Sequence, residues 1–254
     1  MFQIRDVKTL RNYMRPNTWS LKSVRTSLRT DKTSMATDMA LKVSGTIGPR
    51  AYGVAKKTNL IGVKVLDANG TGVNSGVISG IEWAVNDATS KGCIGKALAN
   101  MSLGGIFPTA TNQAVAAGVQ AGLFIAAGND DLPAALFSPA NKKSACTVGA
   151  TDKMDARASY SNFGFVALRS CLLGSTQPPD ANTIFGTLMV TPHIVGLGAY
   201  LIGLAGPSEP EALSERIGIL ATVDALSGVG GLSTDGLIPG LLGTFHLLAY
   251  NGNG

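Results

Sequence analysis

An α/β fold, a doubly wound parallel sheet with helices on both faces, follows from three features of this 254-residue sequence. Short continuous apolar runs recur along the chain, as in strands buried on both faces. Stretches with three- and four-residue apolar spacing lie between them, as in helices that bury one side. The alternation of the two is what a parallel sheet requires, because each crossover must return the chain to the same edge.

The chain divides into a basic, atypical N-terminal segment, residues 1–43, and an α/β domain, residues 44–254. Met1 to Thr30 holds seven Lys/Arg and one acid. It has no apolar stretch of the roughly 7–15 residues that a secretory signal needs. Arg-rich, acid-poor segments also occur as organellar transit peptides, but the preferred reading is a loosely docked arm. On that reading the N-terminal part of the fold is atypical or incomplete, and the sheet has an uncovered edge there.

The glycines of Val43-Ser-Gly-Thr-Ile-Gly48 suit a helix packed closely on a neighbour. Leu60 to Leu66 reads as a buried parallel strand, and Asp67 to Gly72 as a turn. Asn74 to Lys91 reads as a helix, with Val77, Ile81, Ala84, Val85 and Ala88 on one side. Ala97–Leu103, Gly122–Ala127 and Ala145–Ala150 are further strands, with a small-residue helix over Ala114–Ala121. Ile194 to Leu204 is apolar nearly all round, so its helix is expected to be buried, with Pro192 in its first turn. Ser208-Glu-Pro-Glu211 reads as a capping box before a helix with an apolar stripe of Leu213, Ile217, Leu220 and Ala221. Residues 227–243 read as loop.

Composition bounds the function. Hydrophobic content of 45%, 15% charge and 32 glycines suit a tightly turned globular chain. No run approaches the roughly 18 apolar residues that cross a bilayer, so no membrane partner is expected. The net charge of +5 is unevenly placed: residues 1–50 hold ten Lys/Arg and three acids, the remainder eleven and thirteen. The α/β part is therefore near neutral, and no nucleic-acid partner is indicated. Cys93, Cys146 and Cys171 are an odd set, which argues against a disulfide framework and for buried free thiols.

Chemistry is expected beyond the carboxyl ends of the strands. Ser102-Leu103-Gly104-Gly105 is extended and poor in side chains, so its backbone could pair with a peptide strand. Ala126-Ala127-Gly128 is a small-residue wall, and Asn129 follows with an amide that could stabilise an oxyanion. Gly186-Thr187 reads as a tight turn feeding a buried helix, where a residue meets unpaired amides and the positive end of the dipole.

Many of these stretches occur together, in order, in one family. Gly186-Thr-Leu-Met-Val-Thr-Pro-His193 resembles the active-site turn Gly-Thr-Ser-Met-Ala-Thr-Pro-His of subtilisin-like serine proteases of the proteinase K branch. Ser-Gly-Thr-Ile-Gly at 44–48, Val-Lys-Val-Leu at 63–66, Asn-Met-Ser-Leu-Gly-Gly at 100–105 and Ala-Ala-Gly-Asn at 126–129 resemble it too. So do Ala-Arg-Ala-Ser-Tyr-Ser-Asn-Phe-Gly at 156–164 and the terminal Leu-Ala-Tyr-Asn-Gly-Asn. The resemblance, close to secreted fungal alkaline proteases, implies a subtilisin-like fold over 44–254 and serine endopeptidase ancestry. It implies Asn129 as oxyanion donor, Ser102 to Gly105 as the strand that pairs with substrate, and Ala126 to Gly128 as the specificity-pocket wall.

The same resemblance places the nucleophilic serine at Leu188, which has no lone pair to attack a carbonyl. It places the catalytic histidine at Met39, whose thioether cannot take the proton. Asp6 is at a suitable distance for the aspartate, but Val7-Lys8 follow it where the family has Thr-Gly. His193 matches a non-catalytic family histidine, and it and His246 are expected to be structural. A family calcium aspartate falls at Leu168 or a neighbour, so no metal and no cofactor are expected. The expectation is a degenerate endopeptidase domain that does not cut. An active secreted endopeptidase and a peptide-binding pseudoprotease are the alternatives. The family is extracellular, but the sequence itself assigns no compartment.

Overall fold

The apolar runs become strands of a single sheet. The computed structural model describes residues 2–5, 42–48, 53–67, 69–103, 109–118, 123–126, 129–137, 140–141, 145–152, 154–163, 171–174, 186–223 and 247–248. Among these, the strands are β1 (Phe2–Arg5), β2 (Asn59–Gly62), β3 (Leu98–Met101), β4 (Leu123–Ala126), β5 (Cys146–Thr151), β6 (Cys171–Gly174), β7 (Thr222–Val223) and β8 (Leu247–Leu248). The helices are α1 (residues 42–47), α2 (Asn74–Ser90), α3 (Thr109–Gly118), α4 (Thr187–Ala205) and α5 (Pro210–Leu220). The sheet order is β2-β1-β3-β4-β5-β6-β8-β7. Strands β3 to β6 and β8 run parallel, as the alternation predicts.

Both faces of the sheet are covered. The strands alternate between two cores, because successive side chains point to opposite faces. Ala99 and Met101 of β3 pack with Val77 and Ile81 of α2 and Val115 of α3. Leu98 of β3 and Cys146, Val148 and Ala150 of β5 pack on the other face with α4, α5 and Val43 and Ile47 of α1. Helix α4 is the centre of that second core: fourteen of its nineteen residues are buried. By length and composition it could cross a membrane, yet here it is the core helix against β3, β4, β5 and β6. Cys93 and Cys146 are buried, as expected; the side chain of Cys171 lies outside the described residues.

Several expectations need correction. The run from Leu60 to Leu66 is not a buried parallel strand. Only Asn59–Gly62 is strand, it is antiparallel to β1, and its residues are partly exposed. Residues 63–66 leave the sheet and pack on α2, where Gly80 leaves room for Val65: a Cβ there would meet Val65 Cγ1 at 2.4 Å. The edge expected to be uncovered is filled, because Phe2–Arg5 bonds to β2 on one side and β3 on the other. Helix α3 begins at Thr109, a turn earlier than its alanine run. The capping box does not form: the cap of α5 is Glu209, and Ser208 Oγ donates to the Glu209 carbonyl instead. Pro210 as the first helical residue moves the cap one residue beyond Ser208. Of the α1 glycines, only Gly48 is closely packed, with Thr58 Oγ1 2.8 Å from where a Cβ would stand.

Helix α4 also starts earlier than its apolar run suggests. It begins at Thr187, so Pro192 is its sixth residue and not part of the first turn. A proline inside a helix removes the bond to the carbonyl four residues before it, here that of Leu188. His193, next along, is half-buried with Nδ1 3.1 Å from the Met189 carbonyl. Burial pushes its pKa below the ordinary 6.5, partly offset by hydrogen bonds to the Met189 and Val190 carbonyls.

Two outcomes are expected. Ile194→Ala, which empties a site with no solvent exposure in the α4 core, lowers unfolding free energy by about 2–5 kcal/mol, read from the urea midpoint at constant slope. The second concerns His193. Its folded pKa lies below the unfolded one, so between the two the unfolded chain binds more protons, and stability falls as pH drops through that window. The urea midpoint is therefore lower at about pH 5 than at about pH 8, and His193→Gln reduces the difference.

Candidate functional site

At the carboxyl edge of the sheet, three chain segments converge: the end of β3, the loop after β4 and the first turn of α4. This is where an open parallel sheet presents its ligand-binding crevice. Helix α4 is tied to each of the other two by hydrogen bonds.

The tie between α4 and β3 arises from Pro192. The Leu188 carbonyl, deprived of its helical donor, accepts a hydrogen bond from Ser102 Oγ at 2.7 Å. Ser102 Oγ in turn accepts one from Asn100 Nδ2 at 2.9 Å. Asn100 and Ser102 are two apart in an extended stretch, so both face α4. A buried carbonyl left unpaired would cost about 1–3 kcal/mol, which makes the serine hydroxyl a structural necessity as much as a site group.

The tie between α4 and the β4 loop runs through Asn129. Its Oδ1 accepts from the Thr187 backbone N–H at 2.8 Å and from Thr187 Oγ1 at 3.0 Å. A backbone N–H can only donate, so it is the carbonyl oxygen of the Asn129 amide that faces Thr187, which leaves Nδ2 as the donor side of the amide. Gly186 permits this approach. It caps α4 with φ 130°, a conformation that favours glycine, and a Cβ there would meet Asn129 Nδ2 at 3.1 Å.

The Asn129 loop is bolted from behind by residues 157–163. Asn162 Oδ1 accepts from the backbone N–H of Asp130 at 2.8 Å and of Leu132 at 3.2 Å. Ser161 Oγ accepts from the Ala150 N–H and donates to the Asn162 carbonyl. Arg157 Nη1 reaches Asp131 at 2.7 Å and the Ser161 carbonyl at 2.6 Å, with its guanidinium 4.9 Å from the Phe163 ring centre. These positioning roles escape sequence reading. The signal was present, a Ser-Asn pair in the matched stretch 156–164, but its partners are about thirty residues away.

The sequence-derived site residues fall as follows. Ser102, Leu103, Asn129 and Leu188 are brought to one edge. Ala126 is the last residue of β4, at that same edge. Gly104, Gly105, Ala127, Gly128 and Met39 lie outside the described residues, as do Asp6, His246 and Leu168. Leu188 is half-buried and is the second residue of α4. Met189 N donates to the Gly186 carbonyl at 2.9 Å, closing the first turn around it. Strand β1 places Phe2 opposite Asn100 and Ile4 opposite Leu98. It therefore runs from the crevice edge toward the opposite edge. Among the described residues, no group of three His, Cys, Asp or Glu could hold a metal ion.

This arrangement has known counterparts. Residues 32–217 match the Subtilase family, peptidase family S8. The chain is 46% identical over 215 residues to a cuticle-degrading protease of Metarhizium anisopliae, covering 82% of this chain and 53% of that protein. It is 48% identical over 202 residues to subtilisin-like protease 7 of Trichophyton verrucosum, covering 77% and 50%. It is 46% identical over 220 residues to alkaline protease 1 of Aspergillus clavatus, covering 83% and 51%. The chain thus spans about half the length of the curated relatives it matches. A cold-adapted subtilisin-like serine proteinase of solved structure superposes with a TM-score of 0.70 at 35% identity, covering 82% of this chain and 72% of that one. With a matched profile over most of its length and a shared fold, the chain belongs to the subtilase family.

Proposed function

We propose that this chain is a catalytically silent subtilisin-like serine endopeptidase domain that keeps a cleft for an extended peptide. The observation that carries the reading is Leu188 in the first turn of α4, inside an otherwise bonded frame. Its carbonyl is held by Ser102, and its neighbour Thr187 is held by Asn129. On this reading Asn129 Nδ2 and the α4 amides are the oxyanion donors, and no group stands between them to form the oxyanion. A leucine side chain has neither lone pair nor proton, so no acyl-enzyme can begin there.

One further feature supports it. Met39 stands where the family places its base, and a thioether does not carry a proton at neutral pH. Loss of serine or histidine in subtilisin itself lowers turnover by about 10⁶-fold, and the oxyanion hole and binding alone retain about 10³–10⁴-fold over water. With both groups replaced, hydrolysis falls below useful turnover. The retained cleft would involve the stretches Ser102 to Gly105 and Ala126 to Gly128, its partner an extended peptide segment held through main-chain bonds. No cofactor enters this reading.

The expected results are no labelling by a fluorophosphonate probe and no detectable cleavage of a peptide amide. Leu188→Ser alone restores neither, because no base accompanies it. Labelling of a serine in the unmodified chain, or cleavage abolished by changing one of its own serines, overturns the silent reading. Titration with a proteinase K-type peptide inhibitor tests the cleft separately. Binding tighter than about 100 micromolar, a free energy beyond about 5 kcal/mol, supports it, and its absence at higher concentration removes it.

A further inference from the structure

Strand β1 enters the sheet in a way the winding of the fold does not dictate. It bonds to β2 through Phe2–Arg5 opposite Gly62–Asn59, and to β3 through Phe2–Ile4 opposite Asn100–Leu98. It is antiparallel to both, whereas β3 to β6 all run one way. A parallel strand is tied into its sheet by a crossover of fixed hand, but an antiparallel insertion carries no such tie.

Among the described residues, β2 pairs with β1 alone and stands at the end of the sheet order. Strand β1 is therefore what joins β2 to the sheet. Without it, β3, whose four residues are all buried, would present a row of open backbone groups. The slot between β2 and β3 needs an extended segment, and its two ladders read backbone more than side chains. Residues 6–41 separate β1 from α1, a connection of 36 residues. Fully extended, that length reaches about 120 Å, enough to place β1 in a neighbouring molecule.

We propose that the slot between β2 and β3 is a strand-acceptor site, and that two copies of this chain exchange Phe2–Arg5 to form a swapped dimer. Every backbone bond of the closed monomer recurs in the swapped pair, so protein concentration sets the balance. The partner is a second copy of this chain, which supplies the same four residues in the same register.

The full-length double variant Gln3→Cys/Ile61→Cys tests this, because those two positions face each other across β1 and β2. Opposed strand positions are within disulfide reach. Refolding is followed by oxidation and a non-reducing gel. The expected result is a crosslinked dimer whose fraction rises severalfold between about 5 and about 200 micromolar protein. Only internally crosslinked monomer over that range overturns the proposal, as does no crosslink in a variant whose circular dichroism matches the parent. Sedimentation of the unmodified chain after refolding over the same range gives a second readout free of new cysteines. Dimer that grows with concentration is expected; monomer throughout, or dimer in which the cysteine pair closes only within one chain, overturns the exchange.

Discussion

One hydrogen bond, from Ser102 Oγ to the Leu188 carbonyl, organises the crevice edge of this protein. It exists because Pro192 has no N–H to give that carbonyl. Helix α4 carries the larger core, and its first turn is registered against the sheet. Asn100 and Ser102 supply that register from β3. The bond is short and links elements 86 residues apart in sequence, so it joins the two halves of the domain where the ligand crevice opens.

From this tie follows the way chemistry and architecture separate here. The fold uses position 188 through its backbone: the carbonyl receives Ser102 and the preceding residue binds Asn129. The side chain at 188 is half-buried and enters no bond that the architecture needs. A leucine there leaves both hydrogen bonds of the frame in place. The same holds for the Asn129 loop, whose position is set by Asn162, Arg157 and Ser161. Ser161 and Asn162 are almost wholly buried polar groups, and leaving either unpaired would cost about 1–3 kcal/mol.

The N-terminal side of the sheet obeys a weaker constraint. A parallel strand needs a crossover on one face and a right-handed path. An antiparallel strand needs only an extended segment long enough to reach its slot. Residues 2–5 meet that requirement with four residues, and the backbone of β3 is paired on both edges as a result. Helix α1 then begins after a long connection and still reaches the α4 core through Val43 and Ile47.

The sequence by itself determined the layers. Continuous apolar runs and three-to-four spacing are local records of which side of an element is buried, so β3, β4, β5, α2 and the buried α4 were legible. So was the family, because the matched stretches, such as 100–105 and 156–164, are a property of the sequence itself. Tertiary structure decided whatever depends on a distant partner. The direction of β1 and the edge position of β2 come from pairing between segments that share no local signal. The start of α4 at Thr187 is set by Asn129 and Ser102 holding its first turn against the cost of an internal proline. The orientation of the Asn129 amide, and the bolts from Asn162 and Arg157, depend on donors and acceptors that only the folded chain brings within 3.5 Å of one another. Periodicity encodes burial, but pairing between remote polar groups leaves no periodic trace.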